Sequence, residues 1–257
     1  MTAMPSKAAA TPMKTLLAHT YRRLAVASLV VAGALFGAPL ALACGTGGYS
    51  YAGVASSTHA FGIGATITPL AGFNVLSGHV AGWVGVGGPH QGPNGSDEWL
   101  QVGFSGFPEL AGNDLYYELT LPGKQPTYHQ LAANLPLGKA ARIAVLEMHK
   151  RPNMWRVWVN GSPASQPIYL PGSHGRWAPI ATAESWDGGT AGTCNGFLYR
   201  FHRVSIARVP GGGWHELAGG YQISSSSTRL ARSGHKGGSF LAAEGDLALR
   251  TLASFNP

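Results

Sequence analysis

The hydrophobic positions of this chain recur with a period of two. Over residues 143–148 and 154–159 the residues read as alternating between two faces, since on a pleated strand successive side chains point to opposite sides. The second run ends in Asn160-Gly161, the strongest short signal for a β-hairpin, because both turn residues must take positive φ. Similar runs cover 62–68, 79–86, 98–104, 115–121, 180–186 and 197–209, with Gly/Pro/Asn/Ser clusters such as 87–95 and 171–175 between them. No stretch of helical length carries a sustained 3.6-residue stripe. The pattern predicts an all-β protein, an antiparallel sandwich or barrel of short strands.

The two ends read differently from the middle. Residues 1–43 hold Lys7, Lys14, Arg22 and Arg23 and no acidic residue, and an apolar run follows the arginine pair up to Ala41-Leu42-Ala43. A positive start, an apolar middle and small residues before a cleavage point predict a signal peptide over 1–43. A retained membrane anchor fits less well, because Gly33, Gly37 and Pro39 interrupt the run. The expected location is outside the cytoplasm, secreted or held in the periplasm or cell envelope, with no membrane attachment after cleavage. Lipid attachment at Cys44 is the lesser alternative, since the tripeptide before it suits a signal peptidase better than a lipobox. The β-domain is expected over 44–209. Beyond it, Gly211-Gly212-Gly213 and the serine run 224–227 mark 210–257 as a loosely attached Gly/Ser-rich extension, with an edge strand at most.

Composition then removes one class of partner. The full chain carries a formal charge of +7, which invites nucleic acid or an anionic membrane. Without the leader, 14 Lys and Arg stand against 11 Asp and Glu, and nothing polyanion-specific remains. Arg229, Arg232, His235 and Lys236 lack interleaved aromatics and read as a solvated cluster. No nucleic-acid partner is expected, and the chain is expected to be a monomer. Cys44 and Cys194, the two cysteines, would form one disulfide in an oxidising compartment.

With so few carboxylates, candidate acid–base chemistry is easy to inspect. On the strand 98–104, Trp99, Gln101 and Gly103 share one face while Leu100, Val102 and Phe104 share the other. On 180–186, Thr182, Glu184 and Trp186 point one way and Ala181, Ala183 and Ser185 the other. Glu184 is thus a lone carboxylate beside an aromatic ring, where burial would raise its pKa. Taken singly, each of these residues also suits an ordinary polar position on an open sheet face.

Their order carries more than any one of them. Gly82-Trp83-Val84-Gly85-Val86, Leu100-Gln101-Val102-Gly103, Tyr116-Tyr117-Glu118 and Thr182-Ala183-Glu184 together resemble the glutamic peptidases of the eqolisin type, over roughly residues 60–206. The resemblance implies a two-sheet, lectin-like (concanavalin-type, jelly-roll) β-sandwich and a polypeptide substrate. It also implies Gln101 and Glu184 as the catalytic pair, with Trp83 and Glu118 lining the site. Trp99, Tyr116 and Trp186, on or beside the same strand faces, are the further candidates for substrate contact. The chain departs from the family pattern in having Gly87-Gly88 for Asp-Gly, Ser105 for an Asp after the Gln strand, and Trp186 one position late.

The pair also makes chemical sense on its own terms. Peptide hydrolysis needs a base for water, a donor for the oxyanion and an acid for the leaving amine. Glu184 can serve as base and then acid, and the Gln101 amide can donate without titrating. Other chemistries have weaker signals. There is no Gly-x-Ser-x-Gly elbow and no His-x-x-x-His pair, so no metal or other cofactor is expected, and the glycine-rich loop 85–92 is followed by no helix that could bind phosphate. A non-catalytic glycan- or peptide-binding sandwich is the main rival, with Trp155 and Trp158 as candidate stacking rings. These two lie on opposite faces of one strand, so at least one is expected in the core.

Overall fold

The computed structural model describes residues 48–187, 195–218, 220–232, 238–245 and 248–251. The leader 1–43 and the proposed Cys44–Cys194 bridge lie outside the described residues. Sixteen strands occur among them. In chain order they are β1 (Tyr49–Ala55), β2 (Gly62–Asn74), β3 (His79–Gly88), β4 (Glu98–Gly106), β5 (Asn113–Thr120), β6 (Thr127–Leu135), β7 (Ala141–Glu147) and β8 (Met154–Val159). There follow β9 (Ser162–Pro163), β10 (Ile168–Tyr169), β11 (Ile180–Trp186), β12 (Gly196–Val209), β13 (Gly212–Glu216), β14 (Tyr221–Ser224), β15 (Thr228–Arg232) and β16 (Phe240–Glu244).

They form two antiparallel sheets, the sandwich of the two architectures that the alternation allows. One runs β14-β1-β11-β3-β4-β5-β6, and the other runs β10-β8-β7-β2-β12-β16-β15 with β13 on β12 and β9 on β8. The inward faces are those the alternation predicts. Leu100, Val102 and Phe104 of β4 and Ala181 and Ala183 of β11 meet Phe197, Tyr199 and Phe201 of β12 in one buried cluster. The hairpin after β8 is also where the sequence puts it, with Asn160 at φ 51° and Gly161 at φ 86°, the left-handed pair of a type I′ turn.

Two strands had weak sequence signals for identifiable reasons. β6 is mostly exposed on both faces, so it lacks the apolar alternation that marks a half-buried strand. β1 carries Ala52, Gly53 and Ala55 around Val54, small residues that pack without a hydrophobic stripe.

The C-terminal segment differs most from expectation. It contributes β13 to β16, not a loose extension. β16 is buried along its length and lies between β12 and β15, while β14 pairs with β1 at the edge of the other sheet. A polar anchor ties it in: the buried Glu244 carboxylate accepts hydrogen bonds from Ser50 Oγ at 2.8 Å and Ser227 Oγ at 2.7 Å. The glycine and serine runs are the turns between these strands, which composition alone cannot distinguish from a flexible tail.

Candidate functional site

The outward face of the sheet β14-β1-β11-β3-β4-β5-β6 carries the polar residues that the alternation set aside. β3 runs through its middle. Gln101 on β4 pairs with Gly85, and Glu184 on β11 pairs with Ala81, so the two stand on opposite flanks of β3 with Trp83 between their levels. Both line one groove of about 270 Å³ together with Trp83, Trp99 and Glu118. Tyr49 and Tyr51 of β1, Ile180 and Thr182 of β11 and Ile223 of β14 complete its walls. The lining holds two carboxylates and no Lys or Arg.

The register fixes how far apart the pair sits. Two strand spacings of about 4.8 Å and four residues of about 3.3 Å place the Cα atoms roughly 16 Å apart. Trp83 stands between the two levels, and Gly85 packs closely beside Gln101: a Cβ there would meet Gln101 Cβ at 2.9 Å and the Trp83 ring at 3.1 Å.

Each member of the pair has a partner that orients it. Gln101 Nε2 donates to Tyr116 Oη at 3.1 Å, which leaves the second amide hydrogen for a ligand. Tyr116 is itself buried and stacked on Tyr128, with ring centroids 4.9 Å apart. Tyr116 packs with Ala81 and Trp83 and does not line the groove. Glu184 Oε1 lies 3.6 Å from His79 Nε2, and the His79 ring stacks on Trp186 at 5.8 Å. Trp186 is 42% exposed and packs at the rim beside His79, outside the groove lining. Replacing Tyr116 by Phe removes the Gln101 acceptor at little cost in volume. We expect a loss of about 1 kcal/mol in stability, read from a thermal melt.

The remaining carboxylate of the groove is Glu118, which accepts from Trp99 Nε1 at 2.9 Å. Burial raises its pKa, and the Glu184 carboxylate adds to the rise, while the Trp99 hydrogen bond and His79 oppose it. The same burial, with the Glu184 charge behind it, pushes Tyr49 up to about 12 and raises Tyr51. Both phenols therefore stay protonated as donors.

The departures from the family pattern have structural counterparts. Gly87 takes φ 81°, and a Cβ there would collide with the Glu98 carbonyl oxygen, so no acid can stand at 87 in this backbone. At 105 the missing acid has a neighbour: Ser105 pairs with Asp114 across β4 and β5. Tyr128 Oη sits 2.9 Å from Ser105 Oγ and donates to Asp114 Oδ2 at 3.5 Å. Asp114 also accepts from Gln130 Nε2 and from the Asn134 backbone N–H.

Sequence reasoning missed His79, Tyr49, Tyr51 and Ile223. The signal for His79 was present, since it shares a strand face with Trp83 four residues on. The others sit on β1 and β14, whose placement beside β11 is long-range. Of the two candidate sugar-stacking rings, Trp155 is wholly buried with its Nε1 donating to Ser173 Oγ at 2.8 Å; it is the core member expected of the pair and offers no ligand platform. Among the described residues no group of three His, Cys, Asp or Glu could hold a metal ion.

No family model matches this chain, and no curated protein matches it. Among solved structures it is similar to a scytalido-glutamic peptidase bound to a peptide-based transition-state analog, at 16% identity and a TM-score of 0.49, covering 77% of this chain and 98% of the other. It is also similar to SCP-B, an eqolisin-family peptidase bound to the tripeptide Ala-Ile-His, at 14% identity and a TM-score of 0.46 with the same coverage. An alginate lyase from Pseudomonas aeruginosa aligns at 14% identity and a TM-score of 0.41, covering 59% of this chain and 66% of the lyase. The functional reading of the chain accordingly rests on its own groove.

Proposed function

We propose that this chain is an exported peptide-bond hydrolase acting in acid, with Glu184 as base and then acid and Gln101 as oxyanion donor. The observation that carries the reading is the shared groove: the Gln101 amide and the Glu184 carboxylate both line it, from opposite flanks of β3. In this scheme Glu184 takes a proton from water as it attacks the scissile carbon. The Gln101 N–H donates to the developing oxyanion, a role in which a preorganised donor is worth about 10²–10³ in rate. Collapse of the tetrahedral intermediate then breaks the C–N bond, and the Glu184 carboxylic acid returns its proton to the leaving amine. Trp83, Trp99, Tyr51 and Ile180 supply apolar walls for substrate side chains, and the protonated Tyr49 and Tyr51 hydroxyls offer donors to its backbone. Export is supported by the charge and hydropathy pattern of residues 1–43.

The test is direct. The purified chain should digest denatured casein at acidic pH in the presence of pepstatin, because the groove contains no aspartate pair for that inhibitor to engage. Absence of cleavage across the acid range, with retention on an insoluble polysaccharide, would overturn the reading in favour of a glycan-binding sandwich.

A further inference from the structure

His79 opens β3 on the groove face, outside the catalytic pair and outside the groove lining. Its ring is boxed by three aromatics: Trp186 stacked at 5.8 Å, Phe107 tilted at 6.0 Å and Tyr49 edge-on at 6.1 Å. Ring faces attract cations, and a partly desolvated box strengthens that attraction. The open side of the box faces Glu184, with Nε2 and Oε1 3.6 Å apart. An imidazolium here therefore has an aromatic cage behind it and a buried carboxylate in front of it. Glu184 is 5% exposed, and a buried carboxylate depends strongly on its charge-bearing neighbours.

We propose that His79 is the positioning residue that holds the Glu184 carboxylate aimed into the groove. The proposal rests on the peptidase reading of that groove. The titratable groups facing His79 are Glu184 on β11, Tyr49 on β1 and, through space, Glu118 on β5. Both carboxylates are opposite in sign to the ring, and the phenol stays neutral in acid, so nothing facing the ring opposes its charge. The pairing also gives Trp186 a role: it holds the ring against Glu184, where the sequence suggested direct substrate contact.

The experiment uses the full chain, with His79→Gln, His79→Lys and Glu184→Gln variants. In His79→Gln, kcat on a peptide substrate should fall about 10- to 100-fold, the scale of a misaimed catalytic group. KM should stay within twofold. His79→Lys, which keeps a cation beside the carboxylate, should restore part of kcat. A His79→Gln profile that superimposes on the parent, or a uniform loss shared equally by His79→Lys, would overturn the proposal. The His79 ring titration, followed by NMR in the parent and in Glu184→Gln, judges the pair without any assay. Its midpoint should move to lower pH when the carboxylate is removed, and an unchanged midpoint would overturn the pairing. If the parent cleaves no peptide at any pH while this midpoint still moves, the peptidase reading fails and the His79–Glu184 coupling stands.

Discussion

Replacing Glu184 by Gln lowers kcat/KM on a peptide substrate by about 10³-fold or more, because it removes the group assigned to take a proton from water and return it to the amine. Gln is nearly the same shape, so the groove and the melting temperature change little. Gln101→Ala should cost about 10²–10³, the usual loss for one oxyanion donor. The double variant distinguishes a working pair from two unrelated polar residues. Groups acting on one carbonyl are strongly non-additive, so the double loss should lie close to the worse single loss. Independent multiplication of the two effects would mean that Gln101 and Glu184 do not meet one carbonyl, and near-wild-type rates in both single variants would end the assignment.

The second large effect concerns stability. Glu98, the first residue of β4, shares the inward face with Leu100 and Val102, is fully buried, and has no hydrogen-bond partner on either carboxylate oxygen. Desolvation alone raises its pKa from 4.5 to about 7. Between those values the native chain keeps a proton that the unfolded chain has released. Unfolding therefore releases a proton, and raising the pH favours the unfolded state. The stability present below about pH 4.5 should be lost progressively up to about pH 7, on the order of 3 kcal/mol in all. For a domain of this size that is a fall of roughly 10 °C in melting temperature. Glu118 and Glu244 are also raised by burial and act in the same direction. Calorimetry from pH 4 to pH 8 should show the decline, and Glu98→Gln should flatten much of it and melt higher than the parent at pH 8. A melting temperature that is flat or rises with pH would show that Glu98 finds a partner in solution. A fold most stable in acid suits the acid-acting reading of its groove.

Much of the site was legible because a strand makes local order into spatial order. Once 98–104 and 180–186 are strands, the period of two assigns Gln101 and Glu184 to one side and Leu100, Phe104, Ala181 and Ala183 to the other, and the structure bears out both faces. What the period cannot reveal is which strand lies beside which. Tyr116 and Trp186 sit near the pair in sequence-derived motifs, yet one is buried against Ala81 and Trp83 and the other packs on His79 at the rim. Their roles follow from neighbours contributed by β6 and β3.

The amino-acid order alone therefore determined the all-β class, most strand positions, the Asn160-Gly161 turn, and the face on which each polar candidate would emerge. These depend on alternation and turn chemistry, which are local. Only the tertiary structure decided that β3 separates Glu184 from Gln101, that both line one groove, and that His79 meets Glu184. It also decided that β13 to β16 belong to the two sheets, although their segment reads as a tail. Each of these is a pairing between strands far apart in the chain, chosen by burial and hydrogen bonding across the whole sandwich.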